Sequence, residues 1–330
     1  MLGVVMKVAE HINPSAVRKE TLRRMVSPRL DAIRSDVQKN YMAYLIVLPV
    51  MVWLILFCYK PIYGVVIAFQ EYRPRLGIER SEWIGIENFV RFFKDAYFIR
   101  TLRNTFVISF LTIIFSFPVP IILALLLNEV KNAIFKRTVQ TVTYLPHFVA
   151  MVISCALVTQ FCQTNGAVND VIAFFGGERK NYLASNDTFY PVYILSSIWK
   201  ECGWSSIIYL AALSGIDQEQ YEAAKLDGAT RLQQIWHITL PGILPTITML
   251  LVLKMGQVMS VGYEKILLLY QPVTYEVADV ISTYTYRKGL MELNGFSYST
   301  AIGLFNSVVN ITMLLLSNKL SKKLGQSGLF

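Results

Sequence analysis

Charge is scarce in this sequence. Only 16% of its 330 residues are charged, against 54% hydrophobic, whereas ordinary soluble domains carry about 25% charged residues. Too little charge is left to cover a water-facing surface, which excludes a disordered tail and argues against a soluble enzyme of one or two domains. Histidine is scarcer still, with three in all. The four cysteines, Cys58, Cys155, Cys162 and Cys202, form no C-x-x-C pair and have no histidine at ligand spacing. A disulfide-stapled module, a metal site and a redox centre are excluded on that ground, and the thiols are expected to be small buried hydrophobes. There is no G-x-x-x-x-G-K-[ST] loop, so no phosphate cradle is expected in this chain. Residues 1–39 lack an apolar h-region and carry eight basic residues instead, which is not the pattern of a signal peptide.

What the sequence does have is uncharged length. About 20 apolar residues cross a hydrocarbon core. Between Lys39 and Lys60 lie 20 uncharged residues, between Arg103 and Glu129 lie 25, and between Arg137 and Asp170 lie 32. Thr188 to Ile216 is broken only by Lys200 and Glu201, and Ile238 to Tyr263 only by Lys254, while Leu293 to Asn318 runs 26 residues uninterrupted. These stretches are apolar all round, so they predict an all-α membrane protein of six transmembrane helices, not a barrel of alternating strands. Pro49, Pro118, Pro120 and Pro146 fall inside the spans and are read as kinks. The boundaries follow: a basic cytoplasmic arm over 1–40, a six-helix domain over 41–320 and a cytoplasmic tail over 321–330. With both termini inside, Lys plus Arg divide 16 inside to 13 outside, which orients the chain only weakly.

The most informative segment lies between the fourth and fifth spans, over 216–240. Glu222-Ala223-Ala224-Lys225-Leu226 reads as a short helix with Glu222 and Lys225 paired at i, i+3. Asp227-Gly228 reads as a turn in which glycine takes positive φ, and Thr230 as the cap of a second helix. Leu232, Ile235 and Trp236 then share one face, and Pro241 opens the fifth span. The expectation is an amphipathic helix-turn-helix lying on the bilayer surface with a face free to dock a partner.

Glu-Ala-Ala, three residues, Gly, nine residues, then Ile-x-Leu-Pro resembles the EAA loop of membrane subunits of binding-protein-dependent ABC importers, the type I, maltose-type family. Pro61-Ile62-Tyr63-Gly64, Trp83-Ile84-Gly85-Ile86-Glu87-Asn88-Phe89, Tyr144-Leu145-Pro146-His147-Phe148, Tyr275-Glu276-Val277-Ala278-Asp279-Val280 and Gly328-Leu329-Phe330 are similar to the oligosaccharide and polysaccharide permease branch. The resemblance implies the type I permease fold and a transport subunit, not an enzyme. It assigns ATPase coupling to Glu222, Ala223, Ala224, Asp227 and Gly228. It also implies a second, related permease in a heterodimer, two cytoplasmic ATPase subunits that bind the ATP and Mg, and an extracellular solute-binding protein that delivers sugar. The cytoplasmic ATPase would place the loop, and so both termini, inside a bacterial cell membrane.

Charges at membrane depth are expensive and are functional candidates by default. Lys200 and Glu201 fall midway along the fourth span, flanked by Trp199 and Trp204, and Lys254 lies deep in the fifth. With Gln257, Asn306 and Asn310 they are the candidates for a sugar route, since aromatic faces beside hydrogen-bonding groups suit sugars. Shared depth suggests that Glu201 pairs with Lys254. His147 reads as a hydrogen-bonded structural residue. Val277 to Leu290 reads as an amphipathic helix on the external face, and the basic arm is assigned to anionic lipid, not nucleic acid. Two rivals remain. A gradient-driven transporter would need more membrane carboxylates and an inverted repeat, and a membrane enzyme would need a nucleophile or metal cluster; neither feature is visible.

Overall fold

The computed structural model describes residues 35–292, 295–325 and 328–329. The basic arm before residue 35, the expected start of the sixth span at Leu293 and the terminal Phe330 lie outside the described residues. The chain divides into two units, 1–64 and 65–330. In the first, α1 (Tyr41–Leu54) contains Pro49, passes into a π-helical turn over Ile55–Tyr59, and buries no residue of its own. A helix apolar on every side has no polar face to turn to water, as lipid requires.

In the second unit the outer loop carries a two-stranded antiparallel ribbon, β1 (Gln70–Glu71) and β2 (Glu82–Trp83), and an amphipathic helix, α2 (Glu87–Lys94). The helix α3 (Phe98–Leu111) continues through a π-helical turn, Thr112–Ser116, into α4 (Pro118–Glu129), giving one run of 32 residues. The turn sits just before Pro118 and Pro120, where proline has no N–H to give the regular ladder.

The third uncharged stretch is not one straight span. α5 (Ala133–Tyr144) tightens into a 3-10 turn at Leu145–Phe148, and the chain bends by 102° before α6 (Met151–Cys162). Sequence length suggested a crossing; Pro146 and the extended Val149 and Ala150 break it. α7 (Asn186–Ser214) follows, 29 residues and so about 43 Å long. After it come α8 (Gln218–Leu226), α9 (Leu240–Met255), α10 (Tyr263–Leu269), α11 (Ile281–Tyr286) and α12 (Phe296–Lys323). Four helical runs, Tyr41–Phe69, Phe98–Glu129, Arg231–Met255 and Phe296–Lys323, are long and apolar enough to cross a membrane, and the bent pair makes a fifth. α7 has the length but carries Lys200 and Glu201 at its middle. All six expected spans are therefore helical, within an all-α fold.

Three apolar cores hold the second unit together. Ile108, Cys155, Phe189, Tyr193 and Ile266 join α3, α6, α7 and α10. Phe92, Met259, Tyr284, Tyr298 and Ile302 join α2, α11 and α12, while Ala124, Tyr209, Leu213 and Ile243 join α4, α7 and α9. Cys155 and Cys162 are buried free thiols, as expected, but Cys58 is exposed.

The Val277–Leu290 segment departs from the expected single surface helix. A turn of helix at Tyr275–Ala278 ends in extended Asp279 and Val280 before α11 begins. Val280, Ile281 and Thr283 are fully buried. The backbone breaks around the carboxylate of Asp279, itself fully buried. Arg287 donates to both of its oxygens at 2.8 and 2.6 Å, Thr283 Oγ1 donates at 2.8 Å, and Arg100 reaches it at 3.5 Å. Nearby, burial and a 2.6 Å hydrogen bond to Asp95 raise the Tyr284 phenol well above its ordinary pKa.

Removing one partner of a buried ion pair leaves the other desolvated, at a penalty of about 3 kcal/mol or more. Asp279→Ala is expected to lower the midpoint of thermal unfolding in detergent clearly, while Glu71→Ala, which removes an exposed pair with Arg73, leaves it within error. Equal midpoints would show that the Asp279 cluster does not hold this segment.

Candidate functional site

A cavity of about 410 Å³ opens between the π-turn region of α3–α4, the middle of α7, the end of α9 and the start of α10. Its lining brings together Lys200, Glu201, Trp204, Lys254 and Gln257 of the expected residues, beside hydroxyls from Ser109, Thr112, Ser116, Ser197 and Ser205. Trp199 is exposed and is not among the lining residues. Asn306 and Asn310 are not among them either. Instead Asn310 accepts from the Met259 N–H at 2.9 Å and donates to Ser260 Oγ at 2.9 Å, fixing the strand of chain that leaves α9 along the cavity.

Each charge is held by specific partners. The Lys200 ammonium is 6% exposed and donates to three backbone carbonyls, those of Pro146 (3.2 Å), His147 (3.2 Å) and Val149 (2.6 Å). The Pro146 carbonyl also accepts from the Val149 N–H at 3.2 Å; those of His147 and Val149 lie where the third span breaks, and the lysine supplies a donor to all three. The expected Glu201–Lys254 pair does not form. Glu201 Oε2 lies 2.9 Å from Nδ1 of His147, which donates to it, and the His147 ring stacks on Trp204 with centroids 4.5 Å apart and planes 1° from parallel. Glu201 and His147 are 54 residues apart, and the break in the third span is what brings the histidine to Glu201 and Trp204. His147 is thus hydrogen-bonded, as the sequence reading had it.

Lys265 was not foreseen. It was counted with the outer loop, yet it is buried and lines the cavity. Its ammonium donates to the Tyr193 carbonyl at 2.9 Å and to Ser197 Oγ at 2.5 Å, and it sits 4.6 Å from the Tyr193 ring centroid. Gly262, at φ +45°, makes this approach possible, since a Cβ there would come within 1.9 Å of the Tyr193 hydroxyl. The signal was present in the sequence as a lone lysine beside Ile266-Leu267-Leu268-Leu269, but the run is too short to read as a span. Lys254 differs from the other two lysines of the cavity: among the described residues it has no side-chain hydrogen bond or ion pair.

At the far end of α7 and α9 lies the 216–240 loop. Asp217 caps α8 by accepting from the Glu219 N–H at 3.0 Å, and Gly228 takes φ +79° at the turn. Thr230 caps the next helix in a full capping box with Gln233. That helix, Arg231–Gln234, does not lie separately on a surface; it runs through a π-turn at Ile235–Thr239 into α9 as one 25-residue run. The Glu222–Lys225 pair is not formed, and both side chains are exposed. Tyr221 bonds Thr239 at 3.0 Å and Gln234 donates to the Ala229 carbonyl at 2.9 Å, which stiffens the turn. Arg231 reaches Glu129 at 3.4 Å, placing the end of α4 beside the loop. At its tip Leu226 is 90% exposed, with Leu232 and Trp236 also uncovered. A rigid turn presenting a bare leucine between free charges is suited to a protein groove.

Residues 116–326 match the family described as binding-protein-dependent transport system inner membrane component. The chain is 48% identical over 295 residues to the polygalacturonan/rhamnogalacturonan transport system permease protein YteP of Bacillus subtilis (strain 168), spanning 89% of this chain and 91% of that protein. It is 45% identical over 288 residues to Protein LplB of the same organism, spanning 87% and 90%. Among solved structures, one chain from a bacterial ABC transporter involved in the import of the acidic polysaccharide alginate aligns with a TM-score of 0.81 at 44% identity, over 88% of this chain and 99% of that one. A second, from the alginate transporter in complex with an alginate pentasaccharide-bound periplasmic protein, gives 0.82 at 43% over 89% and 99%.

Lys200→Met keeps the aliphatic stem but strips three buried carbonyls of their donor. With roughly 1–3 kcal/mol for each buried group left unsatisfied, the variant is expected to unfold at clearly lower temperature than the wild type. Unchanged melting would remove Lys200 as the staple of the break.

Proposed function

The chain belongs to the family of inner membrane components of binding-protein-dependent transport systems, and from that premise we propose that it is the permease subunit of an ATP-driven importer of oligosaccharides, acidic ones above all. The observation that carries this reading is the cavity between the middle of α7 and the end of α9. It offers aromatic rings, Trp204 among them, several hydroxyls, and three lysines against the single carboxylate of Glu201. Sugars need an apolar face and hydrogen-bonding edges, and amines in excess of carboxylates suit sugars that carry acid groups. Alginate and polygalacturonan, named for the relatives above, are polymers of uronic acids, which supports the same class here.

In this reading a solute-binding protein delivers the sugar from outside, and a second, related permease supplies the other wall of the route. Two cytoplasmic ATPase subunits, which carry the ATP and Mg, receive the loop at Glu222, Ala223, Ala224, Asp227 and Gly228, with Leu226 as its apolar anchor. That places the loop and both termini on the cytoplasmic side of a bacterial cell membrane. ATP-driven closure of the ATPases would push the loop, and α7 and α9, which end and start at it, would pass the movement to Lys200, Glu201 and Lys254. A gradient-driven carrier is disfavoured because the cavity's one carboxylate is held by His147 and is not left to load an ion.

Right-side-out vesicles containing the assembled complex should take up trigalacturonate only when ATP is supplied inside, and uptake driven by an ion gradient alone would overturn the importer reading. Gly228→Ala forces a side chain into the left-handed region at a penalty of about 1–2 kcal/mol. The expected result is weaker co-purification of the ATPase subunits and slower ATP-dependent uptake; unchanged co-purification would show that the turn does not shape the docking surface.

A further inference from the structure

The cavity sorts its ionisable groups into those the protein itself holds and one that it does not. The ammonium of Lys200 is enclosed by three carbonyls, and that of Lys265 by a carbonyl, a hydroxyl and the face of Tyr193. Glu201 is engaged by His147. Lys254 lines the same cavity, exposed, and among the described residues no oxygen is bonded to it. A lysine kept at membrane depth without an internal partner carries an insertion penalty of about 2.5–3.5 kcal/mol; the helix dipole felt by Lys254 in the last turn of α9 returns only about 0.3–1 kcal/mol of it, and the cavity's one carboxylate is already bound.

Resting on the reading of this cavity as the sugar route, we infer that Lys254 is the residue that reads the carboxylate of a uronic-acid unit and so separates acidic from neutral oligosaccharides. The chemistry is a charge-assisted hydrogen bond from Nζ to the sugar acid. The neighbouring Gln257 and Ser260 supply neutral donors and acceptors for hydroxyls on either side. Trp204 offers the ring face. Lys200 and Lys265, already saturated by the protein's own oxygens, set a positive surround without contacting the substrate directly. A neutral sugar passing the same point would leave the ammonium unpaired, and that penalty is the source of discrimination.

The test uses the assembled permease–ATPase complex in nanodiscs, with trigalacturonate and its fully methyl-esterified form as probes, binding being read by saturation-transfer NMR titration. The wild type is expected to prefer the acid by at least about tenfold, the size of one hydrogen bond to a charged group. Lys254→Gln should bring the two ligands to nearly equal affinity, and Lys254→Arg should keep most of the preference. The acid-to-ester ratio is the decisive quantity, because a loss of folding or assembly would weaken both ligands together. A Lys254→Gln complex that keeps the wild-type ratio overturns the inference, as does one that keeps the ratio but falls apart from its partner permease, which would make Lys254 an intersubunit ion-pair residue. If ATP-dependent vesicle uptake of trigalacturonate is absent in the wild type, the functional reading itself has failed, whereas intact uptake with an unshifted ratio condemns only the role of Lys254.

Discussion

One ammonium group sets the geometry around which the candidate site is arranged. A helix that stops inside a membrane exposes carbonyls that lipid cannot hydrogen-bond. The third span stops at Pro146–Val149, and Lys200 from α7 meets the carbonyls of Pro146, His147 and Val149 at once. The exchange is mutual, since a lysine at that depth would otherwise be as costly as the broken helix. The contact fixes the position of α7 against the bend, and the bend carries His147 onto Trp204 and Glu201. The cavity wall at Trp204 and Glu201 is thus backed by a histidine from the bend.

The same rule, that interruptions of helix are tolerated only where something polar answers them, recurs through the molecule. Beyond α9 the chain unwinds over residues 256–262, where Asn310 accepts from the Met259 N–H and the Ser109 hydroxyl donates to the Val258 carbonyl. At Asp279 the backbone extends between two short helices and a buried carboxylate gathers two arginines and a threonine around the gap. π-helical turns before Pro118 and before Pro241 take up the mismatch that proline introduces without ending the span. Irregular backbone thus lies at the places where a route or an interface is needed, with the regular helices between them left uniformly apolar.

What could be read from the sequence was local. The cap at Thr230, the positive φ of Gly228 and the proline opening α9 are decided within a few residues, and all three are as expected. The six helical stretches follow from uncharged length. The bend of the third span was visible only as Pro146, because proline predicts a kink but not 102° of it; the angle depends on a lysine 54 residues later. The partner of Glu201 was misread for a related reason. Equal depth in two spans made Lys254 the natural choice, whereas a histidine at the end of a bent helix takes that place. Lys265 escaped notice because a seven-residue helix tucked against α7 has no period or length to announce its depth.

The loop and the cavity are joined by two helices of matched reach. Lys200 lies fourteen residues before the end of α7 at Ser214, and Lys254 lies fourteen residues after the start of α9 at Leu240. At 1.5 Å per residue each stands about 21 Å from the 216–240 loop. Tyr209, Leu213 and Ile243 pack α7 and α9 against each other close to the loop, so the two helices are bound near their loop ends and free to differ nearer the cavity. A push on the loop therefore acts as one rigid input with two outputs. One ends on a lysine locked to the bend of the third span, and the other on a lysine with no partner among the described residues. The first output moves the wall, carrying Trp204, His147 and Glu201 with it. The second moves only the group that faces the cavity contents. A site built this way can loosen its hold on a bound acid by separating one ammonium from the aromatic wall, without breaking any of the hydrogen bonds that keep the fold closed.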